Sequence, residues 1–253
     1  MKRPLLLVLA ILLLAGCSKA VKPETPPPYD VAKDFEEANH LLSKKNYDEA
    51  RSHFEDVKRR DTEMKYAPLA QLRIADSYVE EEEPELAVDE YQQFLDSYPS
   101  HKYAAYAQYQ IGMAYYTQIK GPARGFGAAV RALGAFESLN RIYPRNPYRE
   151  SVKFKIDRCR QVIADHEYMV GDFYYRQSAY SGAIGRLESL LRDFPAYNKA
   201  PEVLYRLAVS HKHLGEDQKA EQDLEMLKKR FPGHELIKKT EEALADIEKE
   251  RGH

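Results

Sequence analysis

The side chains able to do chemistry in this 253-residue chain are two cysteines, eight histidines and forty carboxylates, and their spacing limits what they can do. His211 and His213 are two apart, so on a helix they point in different directions and cannot share a metal as an i, i+4 pair can. The acidic run Glu80 to Glu83 stops at Pro84 and reads as a solvated helix corner, not a calcium or catalytic site. No HExxH, GxSxG or phosphate-binding glycine loop is present, and Gly125-Phe126-Gly127 lacks the third glycine and the preceding strand of a dinucleotide site. Cys159 sits between Arg158 and Arg160, which favour a thiolate. It also falls on the apolar stripe Val152, Ile156, Cys159, Ile163, Val170, which predicts an inert thiol on a buried helix face. The expectation is a non-enzyme with no catalytic residues, no metal and no cofactor.

Cys17 is the exception. Lys2 and Arg3 form a positive start, and Leu5 to Leu14 form an apolar run too short to span a bilayer, the pattern of an export signal over residues 1–16. It ends in Leu14-Ala15-Gly16-Cys17, which resembles the lipobox at which bacterial lipoproteins are cleaved and acylated on the cysteine. Cys17 would then open the mature chain as its lipidation site, and several acyl chains hold a protein on a bilayer far more firmly than one. Ser18 follows where lipoproteins of enteric bacteria retained in the inner membrane carry Asp, which resembles an outer-membrane address on the periplasmic face. With Cys17 acylated, Cys159 has no intramolecular partner and no disulfide is expected. Loss of the signal removes two of the 38 basic residues and leaves 36 against 40 acidic ones, a balance that points to no nucleic-acid partner. Residues 17–29, with Pro23 and Pro26-Pro27-Pro28, read as a lipidated extended tether. At about 3.1 Å per residue, residues 18–28 reach roughly 30 Å from the lipid.

The remainder is organised by a repeat. A small residue is followed twelve positions later by Ala and four later by a large apolar residue: Ala38, Ala50, Phe54; Ala75, Ala87, Tyr91; Gly171, Ala183, Leu187; Ala208, Ala220, Leu224. A unit with Ala132 and Phe136 makes five, and all but the first end in aromatic-proline: Tyr98-Pro99, Tyr143-Pro144, Phe194-Pro195 and Phe231-Pro232. These spacings resemble the tetratricopeptide repeat, a helix-turn-helix unit in which small residues let paired helices approach and proline ends the second helix. Strand signals are nearly absent, so the expected fold is all-α, a superhelical solenoid of five such repeats. The first unit departs from the pattern, with Asp61-Thr62 in place of aromatic-proline. Eight extra residues in the third unit, holding Gly121-Pro122 and Gly125-Phe126-Gly127, predict a flexible loop between its helices. Fourteen extra residues in the fourth lengthen a helix by about four turns. Residues 234–251 read as a polar capping helix.

With Ala38, Ala75 and Gly112 as the eighth repeat position, the second, fifth and twelfth positions of the first helices face the concave side of such a solenoid. They include Phe35, Leu69, Leu72, Tyr106, Tyr109 and Tyr116. An aromatic-lined groove of this kind suits an extended peptide bearing aromatic residues, although each side chain also serves packing between repeats. The Lys and Asn pair with which chaperone-tail-binding repeats clamp a carboxylate is missing: Phe35 stands beside Asn39 where Lys should be.

Lipobox, proline-rich tether, five divergent repeats, the insertion in the third and the lengthened helix of the fourth together resemble the BamD (ComL) family of the outer-membrane β-barrel assembly machinery. The stretches His166-Glu167-Tyr168-Met169-Val170, Phe173-Tyr174-Tyr175 and Arg186-Leu187-Glu188 through Leu190-Leu191-Arg192-Asp193-Phe194-Pro195 are similar to that family's fourth repeat. Ala123-Arg124-Gly125-Phe126-Gly127 departs from its more acidic third repeat. The resemblance implies an outer-membrane scaffold that binds periplasmic domains of the barrel insertase, associates with other assembly lipoproteins and receives unfolded outer-membrane proteins. Residues 30–143, repeats one to three, would hold the peptide groove, and 144–253, repeats four and five with the cap, the insertase dock. By position Arg186 would face the insertase; beside Leu187 it equally reads as a solvated arginine. Two rivals share many of these features: a repeat lipoprotein scaffolding cell-division or peptidoglycan enzymes, and a free periplasmic chaperone, against which the anchor argues.

Overall fold

The computed structural model describes residues 29–252, so the signal segment, Cys17 and residues 18–28 of the tether lie outside the described residues. Eleven helices and no strand occur among the described residues. They are α1 (Val31–Ser43), α2 (Tyr47–Arg60), α3 (Ala67–Glu80), α4 (Pro84–Ser97), α5 (Ala104–Thr117), α6 (Pro122–Ile142), α7 (Arg149–Arg176), α8 (Tyr180–Asp193), α9 (Ala200–His213), α10 (Asp217–Arg230) and α11 (Leu236–Arg251). Helices α1 to α10 pack chiefly on their sequence neighbours, α1 against α3 and α7 against α9 join first helices across repeats, and α11 packs mainly on α9. The result is an all-α solenoid of five helix pairs closed by α11, in which stability is a sum of repeat and nearest-neighbour contributions.

The repeat residues do the packing their types allow. Ala38, Ala50, Ala75, Ala87, Ala183 and Ala208 are fully buried, as are Phe54, Tyr91, Phe136 and Leu187, which fill the space between pairs. Each of those large side chains contributes about 2 to 3 kcal/mol of burial. At Gly171 an added Cβ would lie 2.6 Å from Leu187 Cδ2, and at Gly112 one would run into the Phe136 ring, so any larger residue there would push Leu187 or Phe136 out of place. Proline starts α4 and α6 and enters the first turn of α3 and α9, where its missing N–H costs nothing.

Where the first repeat lacks aromatic-proline, Asp61 takes over the joint. Its N–H closes α2 on the Val57 carbonyl at 2.9 Å, and its carboxylate accepts the N–H groups of Tyr66 (2.5 Å) and Ala67 (2.7 Å) at the start of α3. The turn inside four of the five repeats passes through a left-handed residue, Lys45, Glu82, Ser178 or Gly215, each two positions before the second helix. Only the last is glycine.

The third repeat corrects the expectation of a flexible loop. Its connection is only residues 118–121, and Gly125-Phe126-Gly127 lies inside α6, which runs 21 residues from Pro122. Pro122 supplies a ready first turn, and the alanines that follow favour helix. Phe126 stacks on His166 of α7 with centroids 4.3 Å apart, and His166 Nδ1 lies 2.9 Å from the Pro122 carbonyl oxygen. In the fourth repeat α7 has 28 residues, twice the 14 of α8, which gives the four added turns the insertion implies. Cys159 is fully buried on its inner face, and burial pushes the thiol up to about 11, an effect the Arg158 charge only partly offsets. No helix among the described residues is long and apolar enough to cross a membrane.

Candidate functional site

The first helices of repeats one to three wall a concavity of about 370 Å³, lined by Phe35 from α1, Leu69, Leu72, Arg73 and Asp76 from α3, Tyr103 and Tyr106 at the start of α5, and Tyr148 just before α7. Phe35 is nearly buried, edge-on to Phe54 (5.6 Å between centroids) and tilted against Tyr66 (5.3 Å). The polar end is organised by Asp76, whose Oδ1 accepts the hydroxyls of Tyr91 and Tyr106, each at 2.7 Å, while Oδ2 lies 3.3 Å from Arg73 Nη1. Gln110 donates to the Tyr106 hydroxyl at 3.0 Å. Burial first, and then the Asp76 charge, pushes the Tyr106 phenol up to about 12 and holds Tyr91 higher still. Both rings therefore stay neutral donors, rigid and pre-oriented. A cavity of this kind offers apolar contact, a stacking surface and one half-exposed cation, Arg73.

Of the six groove residues expected from spacing, Phe35, Leu69, Leu72 and Tyr106 line this one concavity. Tyr109 adjoins it by stacking on Tyr148, 4.2 Å between centroids and 11° from parallel. Tyr116 stands apart, packed edge-on to Phe136, with Lys155 Nζ 6.0 Å from its ring and 5.9 Å from that of Tyr109. Arg73 and Asp76, one helical turn beyond Leu69 and Leu72, were findable from i, i+4 spacing. Tyr148 was not, because the lengthened α7 brings it to the cavity.

In the fourth repeat Arg186 projects from α8, about half exposed, with Nη1 3.3 Å from Glu167 Oε2 on α7. Met169, Phe173 and Tyr174 are exposed on the same half of α7, and Tyr174 covers Gly182 of α8. Arg206 reaches from α9 to Asp172 of α7 (2.6 Å) and lies over the Tyr168 and Tyr175 rings at 5.0 and 5.5 Å. The two histidines separate as their spacing requires: His211 Nδ1 meets Asp223 at 2.7 Å in the interior, and His213 stacks on Tyr180 at 4.3 Å. Among the described residues no His, Cys, Asp and Glu cluster is arranged to hold a metal.

The family model described as YfiO, outer membrane lipoprotein, matches residues 29–227, nearly all of the solenoid, and a prokaryotic membrane lipoprotein lipid attachment site matches residues 1–18. The chain belongs to the YfiO family. Relatives of this YfiO-family chain include the outer membrane protein assembly factor BamD of Caulobacter vibrioides, 26% identical over 91% of this chain and 77% of that one. BamD of Rickettsia prowazekii is 28% identical over 87% of this chain and 88% of the relative. Among solved structures, the TPR2AB-domain:pHSP90-complex of yeast Sti1 covers 87% of this chain and 84% of its own at 14% identity, TM-score 0.45. YrrB, described as a TPR protein with an unusual peptide-binding site, covers 84% and 92% at 14% identity, TM-score 0.37. In this YfiO-family member the attachment-site match includes Cys17, the residue expected to carry lipid.

Proposed function

We propose that the chain is a non-catalytic scaffold of outer-membrane β-barrel assembly, anchored through Cys17 at the periplasmic face of the outer membrane. Repeats one to three receive segments of unfolded outer-membrane proteins in the concavity around Phe35, Leu69, Leu72 and Tyr106, with Tyr109 and Tyr116 extending the aromatic surface. Repeats four and five dock on periplasmic domains of the barrel insertase, with Arg186 in the contact, and other assembly lipoproteins join the complex. The observation that carries this reading is the pre-oriented aromatic cavity on a member of a family whose relatives are named assembly factors. Rings held by buried hydrogen bonds supply contact area to an extended peptide at small entropic cost.

Affinity capture of the membrane-extracted protein, with mass spectrometry and Cys17→Ala as the unanchored control, tests it. A barrel insertase and unfolded barrel precursors are expected. Arg186→Glu should reduce insertase recovery with helicity unchanged, and Arg73→Gln, which removes the cation at the cavity and keeps a donor beside Asp76, should reduce precursor recovery alone. Recovery of peptidoglycan or cell-division enzymes in place of the insertase would replace this reading with the cell-wall scaffold.

A further inference from the structure

Charge is distributed along the chain very unevenly. The whole sequence carries a formal charge of −2, yet residues 97–136 contain no Asp or Glu, and Lys120 to Arg160 holds ten basic residues against Glu137, Glu150 and Asp157. That stretch is net +7, which leaves −9 to the rest. It corresponds to α6, the connection after it and the first half of α7. Elsewhere most arginines are paired, as Arg51 is with Glu81, Arg186 with Glu167 and Arg206 with Asp172. Arg124, Arg145, Arg149, Lys153 and Arg158 are exposed and have no ion-pair partner among the described residues. Arg160 pairs with Glu137 at 2.8 Å, which ties α6 to α7 within this stretch. The same stretch exposes Ile142, 54%, and Phe154, 73% and the most exposed of the large apolar side chains.

We propose that the exposed residues of this stretch, in the third repeat and the start of α7, form a second membrane contact, which rests against anionic phospholipid headgroups of the bilayer that holds the lipid anchor. Three considerations favour a bilayer over an acidic protein. The apolar side chains stand singly among cations, which suits penetration of a headgroup layer, whereas a protein interface gathers its apolar groups into a core. Unpaired Lys and Arg gain most where many mobile anions can reach each of them. The anchor holds the folded part within a tether's length of lipid, so even weak contacts are occupied. The inference rests on the anchored reading for that proximity alone.

The test uses the acylated full chain reconstituted in vesicles of phosphatidylcholine with or without about one third phosphatidylglycerol. An environment-sensitive fluorophore is attached at Ile142→Cys; Cys17 is blocked by acylation, and Cys159 is buried. With phosphatidylglycerol, brominated acyl chains should quench the probe, and Arg149→Glu with Lys153→Glu, or high salt, should lower the quenched fraction about tenfold or more. Unquenched probe in both lipid mixtures overturns the proposal. So does a probe shielded from a water-soluble quencher only when soluble proteins are added, which would give the surface to an acidic protein. Failure of the protein to stay on salt-washed vesicles would overturn the anchor instead, and is scored separately.

Discussion

Removing the carboxylate of Asp61 should uncouple the first repeat from the rest of the solenoid. Asp61 is only 7% exposed, and its carboxylate accepts two backbone N–H groups, from Tyr66 and Ala67, at a helix start with no other side-chain cap. Asp61→Ala leaves both donors unpaired at a closed joint. Hydrogen bonds to a charged acceptor contribute about 1.5 to 3 kcal/mol each, and partial hydration of the freed groups offsets some of that, so the joint should weaken by about 3 kcal/mol. Because each repeat in a solenoid touches only its neighbours, that loss is local. Native-state hydrogen exchange is the suitable assay: amides in the middle of α1 and α2 should exchange about a hundredfold faster, since each 1.4 kcal/mol is tenfold, while those of α9 and α10 keep the parent rates. Asp61→Asn retains an acceptor without the charge and should accelerate α1 and α2 only about tenfold. Uniform acceleration along the chain, or an alanine variant that exchanges like the parent, would refute the idea that Asp61 replaces the missing aromatic-proline as the joint.

Three further outcomes are expected. Lys45→Gly, Glu82→Gly and Ser178→Gly each relieve a left-handed conformation at the turn and should raise stability by about 0.5 to 1 kcal/mol, read as a higher denaturant midpoint with unchanged slope. Glycine-to-alanine changes should split by sign: Gly112→Ala drives a Cβ into the Phe136 ring and should cost about 1 to 3 kcal/mol, whereas Gly127→Ala and Gly134→Ala meet nothing within 4 Å and should stabilise α6 by up to about 1 kcal/mol each. Burial holds the Asp223 carboxyl at about 6, despite its hydrogen bond to His211, above an unfolded value of about 3.9. The stability that shift confers is complete below about pH 4 and lost as pH rises through about 6, so Asp223→Asn, which cannot ionise, should gain in melting temperature relative to the parent from pH 4.5 to 7.

The fold was readable because a repeat states its packing rule several times. Twelve residues from a small side chain to Ala, and four more to Phe54, Tyr91 or Leu187, set the crossing of two helices wherever they recur. The insertion in the third repeat misled because glycine signals both a bend and a close approach. Gly125 is glycine for the second reason: an added Cβ would lie 2.9 Å from the Lys120 nitrogen, with the helix continuing through it. Four of the six groove residues could be brought to one concavity by repeat register alone, since that register is a property of single helices. Tyr116 escaped it because its ring turns toward Phe136 in the next layer.

From the sequence by itself come the lipid attachment site at Cys17, the repeat count, the lengthened helix of the fourth repeat and the burial of Cys159, because each depends on composition or on a period within one segment. The tertiary structure alone decided the Tyr91, Tyr106 and Asp76 cluster, the arrival of Tyr148 at the groove, the Arg186 pairing with Glu167 and the Arg160 pairing with Glu137 that ties α7 to α6. Those contacts bring together side chains from different helices, and their geometry is set by how one pair stacks on the next, which no spacing within a single helix records.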